Sequence, residues 1–138
     1  MLDTDDWRAR RWRVALVAHD AKKTAMVAFV QRYRTRFRNW DLLATTSIGE
    51  ALREVTGLRI RTVLPAAQGG DVQIGSEIAS GEIDALIFLR DPLAAQPHEP
   101  DIAALLRVAD VHNVALATNL TSAECLVRAL SPERALSI

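Results

Sequence analysis

RVALVAHDAKKTAMVAFVQRY, residues 13–33, reads as one complete strand–turn–helix unit. The short apolar run Arg13–Ala18 ends at His19-Asp20, and Lys22–Tyr33 then carries apolar residues at helical spacing. The same alternation continues along the chain. Strands are expected at Arg13–Ala18, Asp41–Ala44, Arg59–Leu64, Ala85–Leu89 and Val114–Ala117. Helices are expected at Lys22–Tyr33, Ile48–Val55, Val72–Ser80, Ile102–Val111 and Ala123–Leu130. Five βα units in series imply an α/β fold, a doubly wound parallel sheet with helices on both faces and right-handed crossovers. Helix starts are signposted by Ser47 with Glu50 and by Thr121 with Glu124, both at capping-box spacing, and by Asp71 and Asp101 at cap positions. Gly57 and Gly81 fit helix stops.

The 138 residues suffice for one domain with a real core. Residues 1–11 are polar and charged and read as a loose N-terminal arm, leaving 12–138 as the domain. Lys+Arg and Asp+Glu both number 17, so net charge supplies no drive toward nucleic acid or an acidic membrane. No apolar run approaches the ~20 residues of a membrane helix. One cysteine, Cys125, excludes an intrachain disulfide and reads as a core thiol, consistent with a cytoplasmic protein. Arg32, Arg34, Arg36 and Arg38 form a local basic stretch. It reads as a solvated helix end rather than a nucleic-acid face.

The acids and histidines fall where the strands end. His19 and Asp20 follow the first run, Asp71 follows Gly69-Gly70, and Asp91, His98 and Asp101 follow Ile87-Phe88-Leu89. In an open parallel sheet the carboxyl edge is where ligands bind, and convergent ionisable groups there point to acid–base chemistry. Each segment also has a plainer reading. Asp20 could merely cap a helix while Lys22 and Lys23 are solvated, and Thr45-Thr46-Ser47-Ile48-Gly49 is either a phosphate cradle or ordinary capping. Asp71 is either a general base or an N-cap. The proline-rich stretch Asp91–Pro100 is either a rigid surface loop or a mount that holds His98 between carboxylates. No metal-ligand spacing and no Walker A, GxGxxG or GxSxG motif occurs.

LVAHDAKK (residues 16–23), GGD (69–71) with VQIGSEIASGEIDALIF after it, DPLAAQPHEPD (91–101) with LLR (105–107), and ATN (117–119) resemble methylglyoxal synthases in order and spacing. The resemblance implies a flavodoxin-like three-layer domain, a homohexamer, and a lyase without metal or other cofactor. Such an enzyme acts on a small phosphorylated substrate, dihydroxyacetone phosphate, and releases methylglyoxal and phosphate through an enediolate. By motif position Asp71 would be the base, His98 and His19 would contact substrate oxygens, and Asp20, Asp91 and Asp101 would orient and tune them. Lys23, Thr45 and Ser47 would hold the phosphate beside Gly69 and Gly70.

Four positions depart from the family's usual phosphate pocket. Thr46 stands for glycine, Ile48 for threonine, and Pro65-Ala66 for Ser-Gly. Each hydrogen bond lost to a charged group is worth roughly 1.5–3 kcal/mol. The family also usually continues with a further strand and an arginine-bearing tail, where this chain ends at Ile138. The alternative is therefore a non-catalytic or substrate-shifted homologue that binds a small phosphorylated ligand.

Overall fold

The computed structural model of the chain describes residues 11–130. The strands are β1 (Arg13–Ala18), β2 (Asp41–Thr45), β3 (Ile60–Val63), β4 (Ala85–Leu89) and β5 (Ala115–Ala117). The helices are α1 (Lys23–Arg32), α2 (Arg34–Phe37), α3 (Thr46–Thr56), α4 (Gly70–Ala79), α5 (Glu99–Val111) and α6 (Leu120–Ala129). Single 3₁₀ turns at Asp20–Lys22 and Ala66–Gln68 precede α1 and α4. All four strand pairings are parallel, in the order β3-β2-β1-β4-β5. The expected single-domain, three-layer, flavodoxin-like architecture is what the chain adopts. Within that class the strand order reverses between β1 and β4, which puts the ligand crevice at their carboxyl ends.

Alternation along the strands builds two cores. Val14, Leu16, Ala85, Ile87 and Leu89 face one way and pack with Met26, Phe29, Leu52 and Val127 of α1, α3 and α6. Ala15, Val17, Leu86 and Phe88 face the other way, onto Ile74, Ile78, Ile102 and Leu105 of α4 and α5. Because β1 and β4 are covered on both faces, they read as continuous apolar runs.

The helix stops are where the sequence put them. Gly57 (φ 71°) and Gly81 (φ 76°) adopt left-handed conformations at the ends of α3 and α4. Gly81 and Glu82 donate to the Ile78 and Glu77 carbonyls in a Schellman closure. Four helix starts are corrections. The cap of α3 is Thr45 rather than Ser47, that of α4 is Gly69 rather than Asp71, and that of α5 is His98 rather than Asp101, none with a side-chain cap bond. Asn119, not Thr121, caps α6 by accepting from the Ser122 N–H at 2.9 Å. Pro100 is tolerated inside α5 because first-turn N–H groups have no intrahelical acceptor.

Cys125 is exposed, contrary to the core reading, because Ala123 and Val127 take the buried face of α6. Two arginines of the basic stretch hold the fold. Arg34 Nε donates to the Thr56 carbonyl at the end of α3 (2.6 Å), and Arg36 to the Val127 carbonyl in the last turns of α6 (3.2 Å). Both cations thus sit at helix C-terminal ends, where the dipole favours them. Arg11 belongs to the folded part rather than to an arm, since its guanidinium pairs with Asp41 at 2.9 Å. Residues 1–10 and 131–138 lie outside the described residues, and with them most of the expected N-terminal arm and the end of the expected domain. No helix among the described residues is long and apolar enough to cross a membrane.

The paired glycines have separate jobs. Gly69 (φ 106°) makes the left-handed turn into α4. A Cβ on Gly70 would lie within 2.0 Å of the Leu64 carbonyl oxygen, so only glycine lets α4 begin against the end of β3. Gly70→Ala should therefore destabilise the fold by about 1–3 kcal/mol through backbone displacement, measured by urea unfolding.

Candidate active site

Among the described residues, five buried polar atoms without a hydrogen-bond partner gather at the carboxyl edge of the sheet: His19 Nε2, both oxygens of Asp71, Arg90 Nε and His98 Nδ1. Buried polar atoms are almost always paired, so such a concentration marks a place built for a ligand.

His19 is placed by backbone. Its N–H donates to the Leu89 carbonyl at 3.1 Å, extending the β1–β4 pairing by one residue. The Asp91 backbone N–H then donates to His19 Nδ1 at 2.8 Å. An Nδ1 that accepts carries no proton, so the neutral ring holds its hydrogen on Nε2, the atom left unpaired. Phe88 packs edge-on against the ring, with centroids 5.2 Å apart at 81°. Burial pushes the imidazole below its usual value, and the His98 ring and the Arg90 guanidinium act in the same direction. His19 is thus a neutral donor. Phe88 as its support was not legible in the sequence, because an apolar strand residue reads only as core.

Asp71 is fully buried in the first turn of α4. Burial pushes its carboxyl up to about 6; His98 pulls against this and Asp101 adds to it. His98 Nε2 lies 3.7 Å from Asp71 Oδ2, and its ring stands at 90° to that of His19, with centroids 6.3 Å apart. Asp91 holds its loop twice over, since its Oδ1 also accepts the Leu93 N–H at 3.2 Å. The structure therefore brings His19, Asp71, Asp91, His98 and Asp101 together. Asp20 is exposed at the start of its 3₁₀ turn, where its carbonyl accepts the Lys23 N–H and its carboxylate makes no hydrogen bond among the described residues.

The expected phosphate residues form a second group at the ends of β1, β2 and β3. Lys23 Nζ donates to Ser47 Oγ at 2.7 Å, tying the start of α1 to the first turn of α3. No side chain caps α3, so its leading N–H groups remain available to an anion beside buried Thr45. Thr46 spends its hydroxyl on the Val63 carbonyl. Ile48 turns into the apolar core, leaving only its backbone to face a ligand. Pro65 and Ala66 open the 3₁₀ turn before Gly69 and Gly70, and the Pro65 carbonyl accepts the Gly70 N–H at 3.0 Å.

Comparison with known proteins places this arrangement. The MGS-like domain family matches residues 25–118. The methylglyoxal synthase of Carboxydothermus hydrogenoformans is 55% identical over 119 residues, which are 86% of this chain and 98% of that one. The chain belongs to the methylglyoxal synthase family. It is therefore an enzyme. The Thermus thermophilus methylglyoxal synthase is 52% identical over 114 residues, 83% of this chain and 90% of its own. The crystal structure of the Elizabethkingia anophelis methylglyoxal synthase superposes with a TM-score of 0.84 at 36% identity, covering 90% of this chain and 82% of that one.

The raised Asp71 value has a consequence for stability. Between the ordinary 3.8 and about 6, the folded chain keeps a proton that the unfolded chain has lost. Stability therefore falls as pH rises through that window, and above it the fold carries the cost of a buried carboxylate, on the order of 3 kcal/mol. Asp71→Asn removes this cost. The variant should be more stable than the parent by about 2–3 kcal/mol above neutrality, and the advantage should vanish toward pH ~4. Paired urea titrations at the two pH values measure it.

Proposed function

We propose that the chain is a carbon–oxygen lyase that converts dihydroxyacetone phosphate to methylglyoxal and inorganic phosphate through an enediolate. The observation that carries this reading is the buried, hydrogen-bond-free Asp71 carboxyl beside the His98 imidazole, whose ring stands against that of His19 at the sheet's carboxyl edge.

Asp71 removes a proton from the hydroxymethyl carbon of the substrate. The electron pair left behind moves toward the neighbouring carbonyl oxygen, where the Nε2–H of neutral His19 supports the developing enediolate. A neutral donor is suited to this work, because it polarises the oxygen without surrendering its proton outright. The enediolate electrons then expel phosphate from the far carbon, breaking the carbon–oxygen bond. The resulting enol takes a proton at its terminal CH₂ and becomes methylglyoxal. His98, 3.7 Å from Asp71, relays protons between the carboxyl group and substrate oxygens. Lys23, Ser47, Thr45 and the uncapped start of α3 hold the phosphate as its negative charge grows. The same resemblance supports a cytoplasmic homohexamer, which sedimentation velocity on the purified protein addresses.

Turnover is measured as methylglyoxal and phosphate released from dihydroxyacetone phosphate. Asp71→Asn should lower kcat by at least ~10²-fold, and kcat/KM should climb to a plateau as pH passes about 6. Folded protein with no turnover would instead make it a ligand-binding or substrate-shifted homologue. Pro65→Ser combined with Ala66→Gly restores a hydroxyl, a backbone N–H and close approach at the phosphate. That double variant should lower KM by roughly tenfold or more, and an unchanged KM would show that these positions do not face the phosphate.

A further inference from the structure

Among the unpaired atoms at the carboxyl edge, Arg90 Nε belongs to a residue that the reaction above does not use. The strands explain its place. Ala15 and Val17 of β1 and Leu86 and Phe88 of β4 face α4 and α5. The next residues in that alternation are His19 and Arg90. β1 and β4 run in register from Val14 opposite Ala85 to Ala18 opposite Leu89, so one residue further His19 falls opposite Arg90. The Arg90 N–H is tied in turn to the Thr118 carbonyl at 3.3 Å, continuing the sheet toward β5. The guanidinium is thereby delivered to the imidazole's side of the sheet.

Four ionisable groups act on His19. Arg90 and Asp91 come from the end of β4, and His98 and Glu99 from the start of α5. Arg90 and His98 disfavour a proton on the ring, whereas Glu99 and Asp91 favour one. Asp71 of α4 meets His98. Asp91 Oδ1 is occupied by the Leu93 N–H, and the Glu99 carboxylate lies 3.9 Å from Arg90 Nη2. A half-exposed pair of this kind adds little to stability, so its effect is local. A carboxylate left uncompensated beside an imidazole favours the imidazolium. An imidazolium carries a hydrogen on Nδ1, the atom that now accepts the Asp91 N–H. Charging the ring would therefore set donor against donor and loosen the loop that begins at Asp91.

Resting on the lyase reading for the use of the His19 donor but not for its charge, we propose that Arg90 is a positioning residue of this site: its guanidinium compensates the Glu99 carboxylate, so that His19 stays a neutral Nε2–H donor bonded through Nδ1 to Asp91.

Imidazole NMR signals followed against pH read the charge of His19 directly. No turnover is needed, so an inactive protein would sink the lyase reading and leave this test standing. In Arg90→Gln the His19 midpoint should rise. Arg90→Lys, which keeps the cation, should bring it back toward the parent's. Glu99→Gln in the Arg90→Gln background should return it to the parent's or below. His112, exposed at the C-terminal end of α5, is the internal control. In turnover, Arg90→Gln should lower kcat/KM by about threefold or more relative to the parent at pH ~6 and match it at pH ~8.5, where the ring is neutral in both. A His19 midpoint unchanged in folded Arg90→Gln would overturn the proposal. So would a rise that Glu99→Gln fails to reverse, because the carboxylate would then not be what Arg90 compensates.

Discussion

The site depends on the pairing of β1 with β4. The strand order reverses at this pair, so helices leave in opposite directions and open a crevice above it. The pairing runs one hydrogen bond past the strands, from the His19 N–H to the Leu89 carbonyl, and the chain then turns so that the Asp91 N–H meets His19 Nδ1. Two backbone donors thereby fix where the imidazole sits and which nitrogen carries its proton. Everything else in the crevice is arranged around that ring.

Asp71 enters from the other face of the sheet, and its approach is a matter of backbone space. Gly70 lets α4 start against the Leu64 carbonyl, and the next residue, Asp71, lies beside His98. The carboxylate arrives without a hydrogen bond and its proton affinity rises accordingly. A helix whose first turn was capped by the aspartate would have satisfied the same atoms and lowered their proton affinity. The absence of that cap and the raised proton affinity of the carboxyl are one structural fact, a local loss of stability of the kind that proteins keep at functional sites.

Much of this was legible in the sequence. The apolar runs located every strand to within about a residue because β1 and β4 are buried on both faces and their residues have no alternative use. The glycine stops were readable because positive φ excludes most side chains. Helix starts were not, since a serine, threonine or aspartate near a first turn has the same appearance whether it caps, as Asn119 does, or meets a side chain from another segment, as Ser47 meets Lys23 and Asp71 meets His98. The arginine stretch was equally opaque, because Arg34 and Arg36 bond to carbonyls more than twenty and ninety residues away.

The sequence by itself determined the layer order, the single domain and the set of ionisable residues delivered to one sheet edge, because these follow from periodicity and from the order of motifs along the chain. Only the tertiary structure decided what those residues are. It made Asp71 a buried carboxyl without a hydrogen bond rather than a cap, His19 a neutral Nε2–H donor, Asp20 a surface residue, Ile48 a core residue and Cys125 an exposed one. The physical reason is that proton affinity, tautomer and burial belong to a side chain's surroundings, and those surroundings are assembled from segments far apart in the chain.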